Sequence, residues 1–153
     1  MTGEGPTELD LTQVDVRCEP GTLPFPAPNA NRVARWEDRD VLWLGPDEWL
    51  VVGDAGDDAT IVEELASAMA GHRSIVDVSA NRIVLDLEDG LDALATGCGL
   101  DLDPWRWRPG MCAQTLFGAA HVILQQRDER TTRLFVRPSF AGYVVERLEA
   151  AVT

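Results

Sequence analysis

Three cysteines, two histidines and scattered carboxylates are the reactive groups of this sequence, and their spacing decides what chemistry they could do. Cys18, Cys98 and Cys112 are odd in number and far apart, with no Cys-x-x-Cys pair. A zinc site or a disulfide framework needs closer or more numerous ligands, so the thiols read as buried or idle. His72 and His121 stand alone, with no second ligand or acid beside either. Asp77 and Asp86 fall on predicted strands that neighbour each other in sequence, and two facing carboxylates can divide acid and base roles. Neither has a His, Lys or metal ligand close in sequence, and the solvent face of a strand accounts for both. Ser79 and Ser139 lack the flanking glycines of a nucleophile elbow. Gly97-Cys98-Gly99 follows a predicted helix, whereas a phosphate-cradling loop feeds one. Those glycines read as a helix cap that needs positive φ. No reactive constellation emerges.

Binding chemistry is better represented. Trp36, Trp43 and Trp49 lie in predicted strands and belong to a core. Trp105-Arg106-Trp107-Arg108-Pro109 lies in a loop, where two indoles alternate with two guanidinium groups. Tryptophan and arginine are enriched among interface hot spots, so these five residues are the candidate partner surface. The competing reading folds both indoles back on a sheet, with the arginines against their faces as cation–π pairs.

The elements that hold these groups follow from hydrophobic periodicity. The stretch from Ile75 to Thr115 organises the chain. Within it Ile83, Leu85 and Leu87 alternate with Arg82, Asp86 and Glu88, as in a half-buried strand. Leu91, Leu94, Ala95 and Cys98 then recur at helical spacing. Upstream, residues 1–8 read as a disordered tail, and residues 9–153 as a single domain. Leu9 to Cys18 is an edge strand. Leu23-Pro24-Phe25-Pro26-Ala27-Pro28 runs extended, because proline donates no ladder bond; it is a rigid connector or a strap on a partner. Arg32–Trp36, Val41–Leu44 and Trp49–Gly53 are strands. Thr60 and Glu63 fit a capping box at the start of a helix that buries Ile61, Leu65 and Met69. Three more strands follow, over residues 111–117, 122–126 and 133–137. Ser139 caps a last helix with Val144, Leu148 and Val152 on its apolar stripe. The class is α+β: a twisted, mostly antiparallel sheet with about three helices on one face.

Charge narrows the partners. The chain of 153 residues carries a net charge of −13, and every one of its 13 basic residues is arginine. Residues 37–103 hold 17 acids to 3 arginines, whereas residues 104–153 hold 4 acids to 7 arginines. Such an acidic chain repels a phosphate backbone, which argues against nucleic acid. No apolar run approaches the ~20 residues of a membrane span. Met1 to Pro6 lacks the basic flank and apolar centre of a signal peptide, so a cytoplasmic location is expected.

Four segments carry a resemblance: Leu42 to Val52, Val76 to Glu88, Thr96-Gly97-Cys98-Gly99-Leu100-Asp101-Leu102 with Pro109 to Thr115, and Leu134 to Phe140. In this order they resemble the gamma subunit of heterotetrameric sarcosine oxidase. More distantly they are similar to the first domain of the glycine-cleavage T-protein and its folate-binding relatives. The resemblance implies a T-protein-like fold with ferredoxin-like halves. It also implies a noncatalytic role in assembly or stability, beside a large alpha subunit and further subunits. That complex oxidatively demethylates sarcosine to glycine and passes the one-carbon unit to tetrahydrofolate. Its FAD, FMN, NAD and tetrahydrofolate are implied to lie in other subunits, with no cofactor in this chain. The T-protein carries a catalytic aspartate in the hairpin after its Pro-Gly…Thr segment. The matching place here, Phe117 to Leu124, has no carboxylate. A stand-alone folate-binding module and an unrelated adaptor domain are the alternative expectations.

Overall fold

The computed structural model describes residues 5–151. In chain order the elements are β1 (Thr7–Leu9), β2 (Leu11–Arg17), a 3-10 turn (Pro20–Thr22), β3 (Val33–Trp36), β4 (Arg39–Gly45), β5 (Glu48–Asp54), α1 (Asp58–Ala68), β6 (Ser74–Asp77), β7 (Ile83–Glu88), α2 (Leu91–Ala95), β8 (Cys112–Phe117), β9 (Ala120–Gln126), β10 (Thr131–Val136) and α3 (Pro138–Ala151). Two compact units result. Asp10–Ala80 is one; Asn81 onward, with the segment ending at Leu9, is the other. Among the described residues every strand pairing is antiparallel, and the class is α+β with three helices. The strands fall into two sheets of five, one in each unit.

In the unit of residues 10–80 the sheet order is β3-β4-β5-β2-β6. Its core gathers Val14, Val16, Val41, Trp49, Val51, Ile61 and Leu65, each such side chain contributing roughly 1.5–3 kcal/mol when fully buried. The expected edge strand near residue 14 is central instead, because β2 pairs with β5 on one side and β6 on the other. The expected capping box does not form. Helix α1 begins at Asp58, with Asp57 at the N-cap and no side-chain cap bond. Thr60 therefore sits inside the first turn, while the N–H of Ile61 reaches the Asp57 carbonyl. The proline-rich segment keeps no regular ladder, but Phe25 turns inward and lies 5.0 Å from the Trp36 ring. That contact favours the connector reading. Strand β4 starts two residues before the expected Val41, at Arg39. The Arg39 guanidinium lies 4.6 Å from the centre of the Trp36 ring and pairs with Glu64.

In the other unit the order is β1-β7-β10-β9-β8. Of the expected tail, Thr7 and Glu8 are strand residues opposite Asp86 and Leu85; residues 1–4 lie outside the described residues, as does Val152. Leu85, Leu87, Leu94, Phe117, Leu124, Leu134, Val144 and Leu148 form the core. Helix α3 starts at Pro138, whose missing N–H costs nothing at a first helical position. Ser139 is thus within the helix rather than its cap. Helix α2 is short and ends at Ala95, so Cys98 is not on its stripe. Cys98 instead bridges to Phe117 and is half-buried. Gly97 has no positive φ; its role is close approach, since a Cβ there would lie 3.1 Å from the Phe117 ring.

Candidate functional site: the Trp105 loop

The loop between α2 and β8 treats its two tryptophans differently. Trp107 is 4% exposed and packs in the core with Leu102 and Leu94. Its Nε1–H donates to Gln126 Oε1 at 2.8 Å. Gln126, buried at the end of β9, also accepts the Thr132 hydroxyl at 2.6 Å and donates to the Asp128 carbonyl at 2.8 Å. Its backbone N–H donates to the Met111 carbonyl, and its carbonyl accepts from Gly110 N–H. Gln126 therefore holds the loop at Trp107 through its side-chain amide and at Gly110 and Met111 through its backbone. Nothing in the local sequence marks Gln126 for this; the signal is only a polar residue at the end of an apolar strand.

Trp105 is 79% exposed. Its backbone N–H donates to Asp103 Oδ1 at 2.9 Å, and its carbonyl accepts from Arg108 Nε at 3.3 Å. The backbone is thus held while the indole stands in solvent. Arg106 pairs with Asp101 at 3.2 Å, both side chains more than half exposed. Such a surface pair adds at most about 1 kcal/mol but orients the guanidinium. Pro109 is exposed beside the indole. Leu91, Pro104, Trp105, Trp107, Pro109 and Glu129 line an open cleft of about 540 Å³. The fold-back reading holds for Trp107 and not for Trp105, which stands in solvent. Trp107 reaches the core because Gln126 satisfies its N–H, and Trp107 is corrected from contact residue to anchor.

The other candidate groups do not converge. Asp77 and Asp86 are not on neighbouring strands, since β6 and β7 belong to different sheets. Asp86 meets Arg133 in a two-pronged ion pair at 2.8 and 3.0 Å. Asp77 accepts the Ser79 hydroxyl at 2.6 Å and its N–H at 3.0 Å. These bonds, the hydroxyl first, hold its carboxyl below the ordinary range. Cys18 and Cys112 are buried. Among the described residues no three His, Cys, Asp or Glu side chains are placed to hold a metal ion.

A sequence model described as the sarcosine oxidase gamma subunit family matches residues 22–153. The chain belongs to that family. It is 31% identical to the sarcosine oxidase subunit gamma of Corynebacterium sp. strain P-1, over 93% of this chain and 76% of the relative. The Arthrobacter sp. protein of that name is 30% identical over the same shares. Among solved structures, a chain of the heterotetrameric sarcosine oxidase from Corynebacterium sp. U-96, in complex with pyrrole 2-carboxylate, superposes with a TM-score of 0.85. It is 28% identical, over 96% of this chain and 82% of that one. The glycine cleavage system aminomethyltransferase T from Bartonella henselae shares the fold, with a TM-score of 0.73 at 13% identity over 95% of this chain and 46% of that one.

In this gamma-family chain the hairpin between β8 and β9 is closed by Gly118 and Ala119. Phe117 pairs with Ala120, and Gly118 has φ +58°. Positive φ at the first of two turn residues marks a type II′ turn, which favours glycine there. The Tyr143 hydroxyl accepts from Ala119 N–H at 3.1 Å and from Arg147 at 3.2 Å. These two donors, Ala119 first, hold the phenol below its usual range. They pin the hairpin tip to α3.

Proposed function

We propose that this chain is the noncatalytic gamma subunit of a heterotetrameric sarcosine oxidase, docking on a larger alpha subunit through Trp105, Arg106, Arg108 and Pro109. The observation that carries the reading is the family match over residues 22–153, joined to an exposed indole on a loop braced from beneath by Trp107. A tryptophan in water on a fixed backbone loses little conformational freedom on binding and brings large contact area, as hot-spot residues do. In this reading the complex demethylates sarcosine and delivers the one-carbon unit to tetrahydrofolate in the cytoplasm. FAD, FMN, NAD and tetrahydrofolate sit in the other subunits.

Co-expression with the other subunits tests this. The tagged wild-type chain should retain the alpha subunit, and Trp105→Ala should lose at least ~2 kcal/mol of that affinity at an unchanged melting temperature. The isolated chain should be colourless and inert toward sarcosine. A wild-type chain that retains no subunit, or a flavin or folate that stays with the isolated chain through dialysis, overturns the reading and favours a stand-alone folate-binding module.

A further inference from the structure

We infer that the end of the β7-β10-β9-β8 sheet carrying Arg137 is a second docking site, which takes an acidic, extended segment of a partner polypeptide. This rests on the subunit reading above. Leu116 lies opposite His121, Val122 opposite Val136, and Val136 opposite Ile83. One step past these last pairs come His121, Arg137 and Arg82. Arg82, Arg137, His121 and Leu116 therefore form a row across four strands, and all four line one cleft of about 410 Å³ floored by Ile123 and Phe135.

Arg137 differs from Arg130 and Arg133 nearby. Arg130 has Asp89 and Arg133 has Asp86 as ion-pair partners. Arg82 makes a further contact of its own. Arg137 is exposed and has no ion pair among the described residues. An incoming carboxylate meets the exposed Arg137 guanidinium in a charge-assisted, two-pronged bond. The chain as a whole is strongly acidic, at −13, so an exposed arginine at this end of the sheet selects acidic groups locally against the background field.

A polypeptide fits better than a free anion. Leu116, at the end of the row, is 47% exposed; a small ion would leave it in water, whereas a chain laid along the row covers it. Three inter-strand steps span roughly 14 Å, the reach of about four extended residues. Carboxylates near one end and an apolar side chain near the other complete the match.

The experiment uses the reconstituted complex and measures the dissociation constant of the gamma chain from the remaining subunits at low and high salt, after the melting temperature of each variant is checked. Arg137→Glu should weaken binding about tenfold or more and flatten its salt dependence, while Arg137→Lys keeps most of the affinity. Leu116→Asp, which leaves the first turn of α3 untouched, should weaken it similarly. Arg137→Glu and Leu116→Asp chains that assemble like wild type overturn this site while the subunit reading stands. A wild-type chain that binds no subunit overturns both.

Discussion

Replacing Trp107 by alanine separates the anchor of the loop from its contact residue. The indole is 4% exposed within the core that also holds Leu94, Leu102 and Leu124. Truncating a buried aromatic costs about 3–5 kcal/mol in transfer and cavity terms. Loss of the Nε1–H bond adds little, because Gln126 Oε1 keeps the Thr132 hydroxyl at 2.6 Å and is not left as an orphaned acceptor. The expected cost is therefore about 3–5 kcal/mol, a large part of the 5–15 kcal/mol typical of a domain. Trp105→Ala, at 79% exposure, should stay within about 0.5 kcal/mol of wild type. Urea unfolding followed by far-ultraviolet circular dichroism reads both, since it does not depend on the deleted fluorophore. Equal midpoints for the two variants, or a destabilised Trp105→Ala beside an intact Trp107→Ala, would refute the assignment of roles.

Three further outcomes are expected. In the native chain a thiol reagent should modify half-buried Cys98 faster than Cys18 or Cys112, both buried; equal slow labelling of all three would place Cys98 in the core after all. Arg133→Ala leaves Asp86 facing a buried stretch of sheet without its two-pronged partner, and should cost about 3 kcal/mol; a loss below 1 kcal/mol in urea unfolding would contradict it. Asp77, Asp89 and Asp128 are all held below the ordinary carboxylate range, by Ser79, by Arg130, and by the Arg130 and Thr131 N–H groups respectively. A depressed folded pKa stabilises the fold above the unfolded value, near 4, and that gain is lost as pH falls through the folded values. Stability should thus be level from about pH 7 to 5 and decline below about 4, and a rise in stability on acidification over that range would show the sign to be wrong.

Much of the fold is legible because period-two and period-3.6 patterns report burial directly. The alternation Ile83-Leu85-Leu87 places β7 correctly, and the Val144 and Leu148 stripe places α3. Helix starts are less legible. Thr60 and Glu63 have capping-box chemistry, yet the helix begins at Asp58 and the N–H of Ile61 is met by the Asp57 carbonyl, so Thr60 falls inside the first turn. The placement of β2 depends on pairing with β6, some sixty residues on, which no local pattern encodes. For the same reason the stretch from Ile75 to Thr115, which reads as one block, is divided at Ala80. In the site, the loop's residue types announce a surface, but the burial of Trp107 depends on Gln126, whose role exists only in three dimensions.

The central claim is that this gamma-family chain works within a larger oxidase. Its most direct test is recovery of the tagged chain from its own host under native conditions, with the bound chains identified and the mass of the assembly measured. The account predicts a yellow, four-subunit complex that oxidises sarcosine and yields this chain, once split off, without colour or activity. Recovery of the chain alone, at about 17 kDa and with no oxidase subunit attached, would contradict it.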